Sequence, residues 1–116
     1  MSKKELPLFT QWYDVVSTLL ECVGRFPKNL RPTLGNRLLD RSLDVLDHVV
    51  VLRYNRDRKT RFAEANLALE QVRILIRLAF ERRLISSGQY SRLAESVDVS
   101  GRMLGGWRRS EDSGKR

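Results

Sequence analysis

The chain carries very little sulfur and imidazole: its 116 residues include one cysteine, Cys22, and one histidine, His48. An internal disulfide and any zinc site of Cys/His type are therefore excluded. No metal and no cofactor is expected, and Cys22, at the end of an apolar helix face, reads as a small buried side chain. No stretch approaches the roughly 20 apolar residues of a membrane span. Met1–Glu5 precedes no apolar run long enough for a signal peptide, so a cytoplasmic protein without membrane contact is expected. Phosphate loops of Walker or Rossmann spacing are missing too, since Gly101, Gly105 and Gly106 follow no strand and lack a Lys-Ser/Thr partner. Asp44, Asp47 and His48 set one imidazole beside two carboxylates, which reads as a local ion pair because no activated nucleophile or second ligand pair accompanies it. No catalytic residue is assigned and no enzyme is expected.

What is present is a helical pattern. The composition, 41% hydrophobic and 31% charged with 3 prolines, suits a compact single domain. Leu8, Phe9, Trp12, Val15, Val16, Leu19, Leu20 and Val23 recur at three and four, predicting a helix over about 8–24. Pro27 and Pro32 interrupt it, and Leu34 to Leu52 resume the period over about 33–54. Further helices are predicted over about 60–84 and 88–108, separated by Ser86-Ser87-Gly88. Short connections favour an all-α, up-down-up-down four-helix bundle over residues 1–109, with 110–116 as a flexible basic tail. Gly101 and Gly105, four apart, read as helix-packing positions.

The third helix has apolar residues to spare. Phe62, Ala65, Ala68, Leu69, Val72, Leu75, Ile76, Ala79 and Phe80 form the expected core face, yet Leu67, Ile74 and Leu78 lie on another side. Another copy of the chain is the simplest cover, so these three are assigned to an oligomer interface. Leucines exposed singly are the alternative.

Charge is unevenly spread. Seventeen of the 22 basic residues are arginine, the side chain suited to bidentate phosphate contact, and the formal net charge is +8. Residues 6–52 and 62–101 are each neutral, so the excess lies in residues 1–5, 53–61 and 102–116. An up-down-up-down bundle brings those three segments to one end. Arg53, Arg56, Arg58, Lys59, Arg61, Arg102, Arg108 and Arg109 are accordingly assigned to phosphate-driven binding of RNA or DNA. A merely solvated loop is the alternative for the 53–61 turn. Arg82 and Arg83 fit a helix C-terminus, where cations are favoured. Arg25, Lys28, Arg31 and Arg37 leave a second basic site open at the far end.

Phe26-Pro27-Lys28, Thr33-Leu34-Gly35-Asn36-Arg37-Leu38, Leu43-Asp44-Val45-Leu46, Gln89-Tyr90 and above all Gly101-Arg102-Met103-Leu104-Gly105-Gly106-Trp107 resemble the Avd family. These are the accessory variability determinants of diversity-generating retroelements, and the resemblance runs from the first helix to Trp107. It implies a four-helix protomer that assembles into a pentameric basic barrel, binds nucleic acid and associates with the retroelement's reverse transcriptase during mutagenic copying of a template RNA. It fixes no individual binding residue. The alternatives are a four-helix protein of the 23S rRNA intervening-sequence type, with which Phe26-Pro27-Lys28 is shared, and a protein-protein adaptor without nucleic-acid binding.

Overall fold

A computed structural model describes residues 5–52 and 58–114, and every regular element among them is helical. Helix α1 spans Glu5–Gly24, α2 Asn36–Leu52, α3 Arg58–Glu81 and α4 Ser87–Gly114. A π-helical turn, Arg31–Gly35, leads into α2 where the sequence pattern suggests ordinary helix from residue 33. Its bond from Gly35 N–H to the Leu30 carbonyl (2.9 Å) spans five residues, and Pro32 falls in the opening turn, where its missing N–H forfeits nothing.

The two described connections, α1 to α2 and α3 to α4, are fixed by local chemistry. The exposed carbonyls at the end of α1 are taken up by Arg31, which donates from Nε to Phe26 O (2.9 Å) and from Nη2 to Gly24 O (3.0 Å). At the end of α3, Leu84 N–H bonds Ala79 O and Arg83 N–H bonds Phe80 O, the double closure of a Schellman motif. This puts Arg83 at φ 61°, a left-handed position that favours glycine. Helix α4 opens on a reciprocal box: Gln89 N–H donates to Ser86 Oγ (3.1 Å) while Ser86 N–H donates to Gln89 Oε1 (2.9 Å).

The four helices run alternately up and down. Trp12 on α1 donates its indole N–H to Ser42 O on α2 (2.7 Å), and Phe80 on α3 stacks on Tyr90 of α4 with ring centroids 4.4 Å apart. At the other end Phe62 of α3 meets Trp107 of α4 edge to face at 5.2 Å. The start of α1, the end of α2, the start of α3 and the end of α4 therefore share one end of a body 51 Å long. Trp12, Leu19, Phe26, Leu38, Leu52, Leu69, Val72, Ile76 and Val97 form the centre of one continuous core. No helix among the described residues is long and apolar enough to cross a membrane.

Two expectations need correction. The residues from Ser110 to Gly114, expected to belong to a flexible tail, continue α4. Glu111 there pairs with Arg58 on α3 (2.9 Å), which ties the last turns to the bundle. The glycines of α4 are also not jointly packing positions. A Cβ on Gly101 would sit 3.7 Å from Leu69 of α3, an ordinary contact, whereas on Gly105 it would meet only Arg109 of its own helix, at 3.3 Å. The close approach is at Gly35, where a Cβ would lie 2.8 Å from Val23 Cγ1.

Candidate nucleic-acid interface

Of the eight cations assigned to phosphate binding, Arg53 and Arg56 lie outside the described residues. The structure divides the other six. Arg58 and Arg61 are half-buried and have structural partners, while Lys59, Arg102, Arg108 and Arg109 are exposed.

Arg58 is held from two sides. Its guanidinium pairs with Glu111 and lies 5.6 Å from the centre of the Trp107 ring, within cation–π range. Trp107 is itself buried against Phe62. Arg61, one turn on, reaches back to α2 and donates from Nη1 to His48 Nδ1 (3.0 Å). Guanidinium only donates, so this bond requires a neutral imidazole with its proton on Nε2. Arg61 Nε is buried with no hydrogen-bond partner among the described residues. His48 is thus bound across the helix pair, and Asp44 bonds Arg41 within α2 (3.0 Å). The grouping of His48 with Asp44 and Asp47 suggested by sequence proximity does not form: Asp44, one turn before His48 on the same face, is taken by Arg41, and His48 by Arg61.

The exposed cations frame this lock. Lys59 follows Arg58 at the start of α3, and Arg108 and Arg109 follow Trp107 near the end of α4. The Arg109 guanidinium lies back along its own helix over Gly105 and Gly106, which have no side chain to obstruct it. Arg102 precedes Arg109 by seven residues, about two helical turns and therefore on the same face, roughly 10 Å away along the axis. None of these four forms an ion pair with a described carboxylate, so their charge is open to solvent. Such a surface can neutralise phosphates. It has no exposed aromatic among its described members on which a base could stack, because Trp107 is turned inward.

The cross-helix partners escape sequence reading because His48 and Arg61 are 13 residues apart with no spacing rule joining them, and Arg58 and Glu111 are farther apart still. The Phe62 and Trp107 positions, in phase with the core pattern, are the one hint in the letters that this end is tied together.

The assigned interface residues are all exposed: Leu67 at 61%, Ile74 at 65% and Leu78 at 39%. A second apolar surface, which the sequence pattern does not single out, lies on α1 and α2. Tyr13, Leu20, Leu43 and Val50 are exposed, with Phe9, Leu39 and Leu46 half-buried beside them. These α2 residues recur at three and four on the flank opposite the one that carries Arg41 and His48 toward α3. The two apolar surfaces therefore occupy different sides of the bundle.

No curated protein and no solved structure matches the chain. A family model does, that of the bAvd-like proteins, over residues 6–111. That span reaches into all four helices and includes both apolar surfaces, and the chain belongs to the bAvd-like family.

Proposed function

We propose that this protein is a non-catalytic accessory subunit of a diversity-generating retroelement, binding template RNA or cDNA and associating with the reverse transcriptase. Membership of the bAvd-like family carries the reading. The exposed Lys59, Arg108 and Arg109 at the end fixed by the Arg58–Glu111 pair, with Arg102 farther back at the middle of α4, support the nucleic-acid part of it. Contacts made by unpaired cations without base stacking are sequence-tolerant, as a partner of varied cDNA requires.

Assembly follows a related logic. Two unlike apolar surfaces on different sides of one protomer favour head-to-tail contact, the α3 stripe of one copy on the α1–α2 surface of the next. A head-to-tail contact closes into a ring when its rotation permits, which accords with the pentameric barrel that the family resemblance implies.

The test combines solution mass with oligonucleotide binding over a salt series. A ring-sized mass and a steep loss of affinity with salt are expected, and neutralising Lys59, Arg108 and Arg109 together should flatten the salt dependence by about one for each phosphate left without its cation. A monomer that ignores oligonucleotides at low salt, or fails to co-purify with the cognate reverse transcriptase, refutes the reading.

A further inference from the structure

We propose that the opposite end of the bundle is a second phosphate-binding surface, formed by Arg25, Lys28, Arg37, Arg82, Arg83 and Arg92 and directed at the sugar-phosphate backbone of single-stranded nucleic acid. This rests on the reading of the protein as a nucleic-acid binder and adds a surface that the reading does not use.

The six cations come from four segments that the fold gathers. Arg25 and Lys28 follow α1, Arg37 opens α2, Arg82 and Arg83 close α3, and Arg92 lies in the second turn of α4. Arg92 and Leu93 of α4 share a groove with Asp14 and Thr18 of α1, which links the first and fourth helices here. Arg37 shares an open groove with Leu78, one turn before Arg82, which links the second and third.

All six are exposed, and none forms an ion pair with a described carboxylate. Carboxylates are present: Asp40 borders the groove that holds Arg37, Asp14 lines the groove that holds Arg92, Glu21 precedes Cys22, and Glu81 is engaged by Arg77 (3.1 Å). They are too few to balance the cations, and Arg31 adds a further charge although its donors are spent on carbonyls. At the first end, by contrast, Arg58 and Arg61 are tied to Glu111 and His48. Among the described residues, this end thus sets six exposed cations without a carboxylate partner against four on the first side.

Arg83 adds an independent observation. Its left-handed backbone is the position where a helix ordinarily ends on glycine. Arginine there keeps a strained backbone and projects a charge from the rim of the end. Helix-dipole complementarity does not require that residue, because Arg82 beside it can meet the same carbonyls.

The experiment measures binding of a fluorescent oligothymidylate over a salt series for the full chain and two variants. One variant combines Arg25→Gln, Lys28→Gln, Arg82→Gln and Arg92→Gln. The other is Arg83→Gly, which removes a charge while relieving the backbone, so weaker binding cannot be ascribed to misfolding. The fourfold variant should bind at least tenfold more weakly, its salt slope reduced by about 0.7 for each phosphate that is no longer neutralised. Arg83→Gly should bind more weakly at undiminished thermal stability. Unchanged affinity and slope in both variants overturn the proposal, as does a loss confined to binding of polyglutamate, which would assign this end to an acidic protein partner. If the unmodified chain binds no oligothymidylate, the nucleic-acid reading fails as well; if only the Lys59, Arg108 and Arg109 variant loses binding, this second surface alone is wrong.

Discussion

Gly35 and Gly105 have the same side chain and opposite tolerances. A methyl group at Gly35 would be driven into Val23 Cγ1, a branched side chain in the core with little freedom to move. Gly35→Ala should cost about 1–3 kcal/mol, the range for overpacking, as a lower urea midpoint. At Gly105 the methyl would displace only the far end of Arg109, so Gly105→Ala should raise stability by up to about 1 kcal/mol through helix propensity. The sequence could not rank these two, since glycines four apart on a helix look like packing positions and one before a helix looks like a turn. Cys22 fits its expected role: burial pushes the thiol above its ordinary range, with Glu21 adding to the shift and Arg25 and Arg92 opposing it. The unfolded chain therefore ionises this thiol first, and the folded state loses stability as pH rises through the ordinary thiol range. Denaturation of the Cys22→Ala variant over the same range should lack that decline.

Helix ends carry information that periodicity does not. Ser86 and Gln89 have the spacing of a capping box, which is legible from the letters alone, although the residues around them stand out first as a break between helices. Ser86→Ala should destabilise the fold by about 1 kcal/mol, seen as a fall in Tm. The left-handed Arg83 was not legible, because nothing in the sequence distinguishes it from a cation favoured at a helix C-terminus. Arg83→Gly should raise stability by as much as about 1 kcal/mol. The length of α4 was legible only as far as the apolar pattern reached, to Trp107. Its last turns depend on Glu111 meeting Arg58 across the bundle, a contact that has no period.

The four helices and their alternating order follow from the apolar spacing, so the gross architecture was readable throughout. One exposed stripe was readable too, because Leu67, Ile74 and Leu78 stand out against a polar sector of α3. The α1–α2 surface was hidden: Tyr13, Leu20, Leu43 and Val50 continue each helix's apolar arc, and only the rotation of each helix shows where that arc passes out of the core. Head-to-tail assembly makes a distinctive prediction for a pair of variants, Ile74→Glu and Leu43→Glu. Each alone should fail to form rings, and an equimolar mixture should yield dimers and no larger species by native mass spectrometry. Each such dimer would use the one intact surface left on either partner. If Leu43→Glu assembles normally, the α1–α2 surface has no part in the contact.

The apolar surfaces run along the sides of the bundle, while the open cations, Arg102 at mid-helix apart, sit at or near its ends. Copies joined side by side would hide little charge, and each would add cations at the same two levels. Affinity should then be a matter of avidity: an oligonucleotide long enough to pass from one copy to the next gains effective concentration at every further site, and a short one gains none. Binding that rises with strand length more steeply in the assembled protein than in the Ile74→Glu variant, where a strand can span only the two ends of one copy, would express that geometry.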